Sequence, residues 1–259
     1  MRELRCCIKK DFIEYIRGKR QIYFAICLAL TAAMVLISTM CFPLILNYLS
    51  TEIPEIVTDA EALIDFVSNL FPQNTLDNLA VLAGDIGVFY SIVVVFVVYN
   101  ILPNEEKEGK WIVPLCNGYK RTQIITSKCL VYGLGVGLPA SLLYLCYYAV
   151  MSFILENNYL VTCAVLNGLI IGVTMFLITV ITMLGSAVSK HSIASAVSVI
   201  TIVILGPDIS ARFDWGVYLP TYILSHLFAS LTDYKALIIP FIETIAICVI
   251  LYCIKKFKK

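Results

Sequence analysis

The chain has 259 residues, 60% of them hydrophobic, 14% charged, and a net charge of +1. A soluble domain cannot bury that much apolar surface; the net charge by itself says nothing about partners, its distribution does, and no nucleic-acid partner is expected. Length and short connections leave room for one membrane domain, 1–259, and none for a separate soluble enzyme domain.

Residues 1–20 mix bases with Glu3, Asp11 and Glu14, and the apolar run behind them is too long for a signal h-region. Leu4, Ile8, Phe12, Tyr15 and Ile16 recur at helical spacing, with Arg5, Lys9, Glu14 and Arg17 assigned to the opposite face. This predicts an amphipathic helix lying in the membrane interface, an elbow before the first span. It is either a basic anchor or a contact for a partner on the same side, with Arg5, Lys9, Phe12 and Arg17 as the candidate contacts.

Six apolar runs follow, at about 21–49, 79–103, 129–155, 159–188, 192–206 and 236–254, each near the ~20 residues needed to cross a bilayer. Of the 19 Lys and Arg residues, only Arg212 and Lys235 fall outside the ends and loops on one side of this arrangement. Short Lys/Arg-rich loops stay in the cytoplasm, so six spans with both termini inside are expected, in a bacterial plasma membrane. The longest external segment, 50–78, has no Lys or Arg. Its stripe of Leu63, Phe66, Val67 and Leu70 predicts a helix on the outer leaflet.

Gly133-x-x-x-Gly137 and Gly168-x-x-x-Gly172 suit close helix approach inside the bundle. The fifth run is read as stopping at Gly206-Pro207. Residues 207–233 are half apolar and are read as one or two short re-entrant or interfacial helices. The ten cysteines contain no C-x-x-C pair and are read as reduced packing residues, with no metal site.

The segment 104–128 is the most specific. Glu105, Glu106 and Glu108 precede Gly109; a short amphipathic piece, a break at Asn117-Gly118, the basic Arg121 and Lys128 follow. On these residues the chain resembles the permeases of ABC-2-type transporters. The acidic cluster and Gly after the second span, a cytoplasmic coupling helix and a Lys entering the third span fall on matching positions. The elbow before the first span and paired short helices before the last extend the likeness to the whole chain by architecture. Lys110 replaces the usual small or hydroxylated residue, and Asn117-Gly118 the usual Pro. The resemblance implies that Glu105, Glu106, Glu108, Gly109, Asn117, Gly118 and Arg121 contact an ABC ATPase subunit. It also implies that a second permease subunit, identical or different, completes the transporter. No phosphate loop occurs. The chain is therefore expected to be no enzyme by itself and to bind no cofactor, ATP and Mg being held by the partner. A peptide, lipid-like molecule or drug would be exported.

Asp85 and Glu243 lie in apolar runs, and an intramembrane carboxylate is a functional candidate by default. Both are near the ends of their runs, so interfacial solvation or helix–helix hydrogen bonding is the alternative to a place in the substrate pathway. As a proton pair they would serve an ion- or proton-coupled secondary transporter. A non-transporting membrane anchor or immunity protein is the third reading. A glutamic-protease reading of Glu105-Glu106 fails, because His191 and His226 fall on opposite sides.

Overall fold

The computed structural model describes residues 2–52, 75–154, 160–189, 191–224 and 237–257. The described residues are helical with no strand. Helix α1 spans Arg2–Arg17 and α2 Arg20–Glu52. The next long helix has three parts: α3 Thr75–Asp85, a π-helical turn Ile86–Tyr90, and α4 Ser91–Val98. After a turn at Tyr99-Asn100 come α5 Ile101–Lys107 and the five-residue α6 Ile112–Cys116. Then follow α7 Arg121–Ile154, α8 Val161–Val188, α9 Ser192–Arg212, a 3-10 turn Asp214–Tyr218, and α10 Ile238–Phe257.

Five helices are long and apolar enough to cross a membrane: Arg20–Cys41, Thr75–Lys107, Arg121–Ile154, Val161–Val188 and Ser192–Ser210. The apolar part of the last helix, Ile238–Ile254, is shorter, so five such helices stand where six spans are expected. The expected outer helix at 63–71 lies outside the described residues, as do most of 50–78 and residues 225–233.

Several boundaries differ from the hydropathy pattern for one reason: helices continue past the apolar stretch. Thr75–Lys107 has 33 residues, about 50 Å at 1.5 Å per residue, against a hydrocarbon core of about 30 Å. Glu105 and Glu106 therefore sit on a projecting helix end, and the connection to α7 shrinks to 108–120. Likewise α9 runs through Gly206 and Pro207 to Arg212. Proline is tolerated inside apolar helices whose neighbours satisfy the freed carbonyl. Residues 207–212 thus belong to a long helix, and the short elements in the described part of 207–233 are the 3-10 turn and helical residues 222–224.

The centre of the bundle is the α7–α8 pair. Helices α2, α3 and α1 pack on α7, while α9 and α10 pack on α8. The two glycine motifs build this centre. A Cβ on Gly137 would stand 2.4 Å from the Gly172 carbonyl oxygen, and one on Gly133 2.5 Å from the Phe176 ring. Ser141 Oγ donates to the Gly168 carbonyl at 2.7 Å. Both motifs are spent within one chain.

Candidate functional site

The site is assembled where α1, α5, α6 and the start of α7 meet. Two left-handed glycines shape it. Gly109 has φ 70° and Gly118 φ 84°. Gly109 closes α5: its N–H donates to the Glu106 carbonyl at 3.3 Å and that of Lys110 to Glu105 at 3.0 Å. Gly118 closes α6 in the same way, with Gly118 N–H to Leu115 O and Tyr119 N–H to Pro114 O, both 3.1 Å. These are two successive Schellman closures, each needing a residue at positive φ that glycine adopts without a Cβ penalty. Helix α7 then starts with Gln123 Oε1 accepting the Lys120 N–H at 2.9 Å, half of a capping box.

This turn chemistry holds α6 as a protruding helical step. Ile112, Val113 and Leu115 are exposed, Val113 by 67%. Trp111, next to them, turns inward and is buried.

Behind α6 is a buried ionic cluster. Lys128 Nζ pairs with Glu105 Oε1 at 2.8 Å, Asp11 Oδ1 at 3.1 Å and Glu14 Oε2 at 3.2 Å. The Lys128, Asp11 and Glu105 side chains are 3%, 5% and 8% exposed; Glu14 is 42% exposed. Ser127 Oγ donates to Asp11 Oδ2, and Trp111 Nε1 to Glu105 Oε2 at 3.3 Å. Burial of the Glu14 carboxyl pushes its pKa up, but the Lys128 charge and hydrogen bond, together with the charges of Lys10 and Lys110, hold it below its ordinary value. Outside the cluster, Arg121 pairs with Glu106 and lies over the Trp111 ring, 5.5 Å from its centroid. Lys110 pairs with Glu108 at 2.7 Å; that hydrogen bond, the largest influence, raises its pKa.

The candidate residues thus divide. Glu105 faces inward on Lys128. Glu106, Glu108 and Asn117 are exposed at the rim of α6, Arg121 is half-buried, and the two glycines set its geometry. On α1, Arg5, Lys9, Phe12 and Arg17 are all exposed. The face of α1 turned to the bundle uses only part of its apolar stripe. It carries Asp11 and Tyr15, with Tyr15 Oη donating to the Gly135 carbonyl at 2.8 Å. Glu14 stays on the exposed side assigned to it while its carboxylate reaches Lys128, and Phe12 and Ile16 of the apolar stripe are exposed as well. Asp11, Glu14, Ser127 and Trp111 were missed as site residues. Two acids three apart in an otherwise basic helix were the available signal.

Asp85 and Glu243 are not part of this site. Asp85 ends α3, half-buried, and lines a shallow depression with Val81 and Phe89. Glu243 is half-buried on α10. Neither makes an ion pair among the described residues.

No protein-family model matches the sequence, and no curated protein or solved structure matches it.

Proposed function

We propose that the chain is the membrane-spanning permease subunit of an ATP-driven transporter of the ABC-2 type, in a bacterial plasma membrane. In this reading α10 is the sixth span: its 20 residues reach about 30 Å as a helix. The basic loops and both termini face the cytoplasm, which puts α6 and the Lys128 cluster inside the cell. Two such subunits enclose the pathway. A separate ATPase docks on α6, and Asp85 is a candidate lining residue.

The observation that carries this reading is the protruding α6. An exposed apolar step of five residues, fixed by two glycine closures, is a poor surface for a loop and a suitable plug for a groove in a partner. Its rear is tied through Glu105 and Lys128 to α1 and α7. A push on α6 would therefore move the start of a membrane-length helix and not merely a loop. The charged rim of Glu106, Glu108, Lys110 and Arg121 would fix orientation.

The test is co-expression with a cognate phosphate-loop ATPase and affinity purification of the chain. A stable complex whose ATP hydrolysis requires the partner is expected. Hydrolysis by the isolated, uncontaminated chain would overturn the proposal, as would solute transport driven by a proton gradient with no ATP present.

A further inference from the structure

The corner between α1 and α2 carries charges that the ionic cluster does not use. Arg5, Lys9 and Lys19 are exposed, and none of them joins an ion pair among the described residues. Beside them an apolar groove of about 620 Å³ runs between α1, α2 and α7. Ile8 and Phe12 form its α1 wall, Ile22 and Ala25 its α2 wall, and Leu134 and Leu138 its α7 wall.

Depth and chemistry both point to one kind of occupant. Leu134 and Leu138 lie six and ten residues beyond Lys128 on the same helix, about 9 and 15 Å along its axis. The groove therefore starts at the polar edge of the bundle and runs into the apolar part. Its polar side chains are already engaged: Tyr15 Oη on the Gly135 carbonyl and Gln21 Nε2 on the Ile16 carbonyl. What remains along its length is hydrocarbon. At its mouth, Arg5 stands one helical turn from Ile8, and Lys9 one turn from Phe12. Lys19 stands two residues before Gln21.

We infer that this groove binds one acyl chain of an anionic phospholipid, with the phosphate-bearing headgroup held by Arg5 and Lys9, one turn apart on α1; Lys19 follows the far end of α1, more than about 18 Å along the axis from Arg5, and takes no share. An apolar slot supplies the chain site, and a basic mouth between helices selects the negative headgroup. Arg20 takes no share in the headgroup; its Nη1 donates to Tyr132 Oη at 2.9 Å, with Cζ 5.8 Å from the ring centroid. The bound lipid wedges α1 against α2 and α7 beside the face that carries Asp11. This site needs the chain to lie in a membrane but not to have an ATPase partner.

The test uses the purified full chain in phosphatidylcholine vesicles containing a trace of spin-labelled phosphatidylglycerol or spin-labelled phosphatidylcholine. Electron paramagnetic resonance reads the motionally restricted fraction of each. The wild type is expected to restrict phosphatidylglycerol preferentially. Arg5→Gln and Lys9→Gln should each lower that association by about fivefold, until the preference is gone in the double variant, whereas Lys19→Gln should leave it in place. Ala25→Trp fills the groove from an exposed position and should also remove the restricted phosphatidylglycerol. Val165→Trp, at an exposed site on α8, should not. Equal restriction of both lipids by the wild type would overturn the inference. So would a double variant that loses the preference while Ala25→Trp retains it, since the bases would then attract the membrane surface without a groove site.

Discussion

Lys128 divides its ammonium among three carboxylates from two other segments: Glu105 at 2.8 Å, Asp11 at 3.1 Å and Glu14 at 3.2 Å. Three N–H donors meet three acceptors, so α1, α5 and α7 are joined at one nitrogen. Removing that nitrogen strands two buried acids. Breaking a buried pair by deleting one partner costs about 3–5 kcal/mol. Lys128→Met should therefore destabilise the purified protein by that order and release α1, read as faster amide exchange over residues 4–16. The double variant Lys128→Met/Asp11→Leu should recover part of the loss. Unchanged exchange in α1 would show that the cluster does not hold it.

Glu14 makes part of this attachment sensitive to acid. Burial pushes its carboxyl pKa up, but Lys128, with the charges of Lys10 and Lys110, brings it below the ordinary 4.5. A lowered folded-state pKa contributes stability above the unfolded value that is lost as pH falls through the folded one. Exchange protection of α1 should therefore hold above pH 4.5 and decline below it, and Glu14→Gln should remove that portion of the decline. A Glu14→Gln profile superimposable on the wild type would refute the assignment to Glu14.

The glycine contacts differ in kind and should differ in cost. Gly137→Ala drives a Cβ to 2.4 Å from the Gly172 carbonyl oxygen, where only a backbone shift relieves it; overpacking of this sort costs about 1–3 kcal/mol. Gly118→Ala meets nothing within 4 Å, but its φ of 84° costs about 1–2 kcal/mol in the left-handed region. The first should lower the melting temperature through loosened α7–α8 packing. The second should act through α6 alone, leaving exchange in α8 unchanged. Equal effects on α8 would show that the α6 closure is coupled to the core.

Topology is tested independently of any partner. In a cysteine-free background, a membrane-impermeant thiol reagent applied to intact cells should label cysteines placed at Asp77 and Leu160, and should miss those at Glu108 and Lys120. Labelling at Glu108 from outside would reverse the orientation and remove α6 from the cytoplasm.

How much was legible in the sequence follows from what each signal measures. Apolar runs located the long helices, because bilayer crossing depends on composition. They misjudged the ends, because Glu105 continues a helix whose apolar part is already over, and Pro207 does not stop one. The glycines at 109, 118, 137 and 172 were readable, since a missing Cβ has few uses. The ionic cluster was not. Lys128 meets Asp11 only through packing across more than a hundred residues, and Glu14, exposed as amphipathic counting placed it, carries no sign in the sequence of its reach to Lys128. For the same reason Glu105, Glu106 and Glu108 looked equivalent in the sequence, and only the fold separates the inward one from the two at the rim.

That separation sharpens the expected behaviour of segment 104–120 under the proposed docking role. Glu106 and Glu108 already have internal partners in Arg121 and Lys110, and exposed pairs of this kind are worth about 0–1 kcal/mol. Glu106→Ala/Glu108→Ala should therefore weaken association with an ATPase subunit only slightly. Ile112 and Val113 are 62% and 67% exposed, so a partner groove would bury both, at about 1.5–3 kcal/mol each. Ile112→Asp/Val113→Asp should cost at least about 3 kcal/mol, more than a hundredfold in affinity, without harming the membrane bundle, because neither side chain packs within it. Glu105→Gln should behave differently again: it weakens the tie between α6 and Lys128, so docking persists while hydrolysis and transport come apart. Binding by isothermal calorimetry and coupled transport in vesicles distinguish the three outcomes. A complex untouched by Ile112→Asp/Val113→Asp would mean that α6 is not the docking element, and the coupling route through Lys128 would have no input.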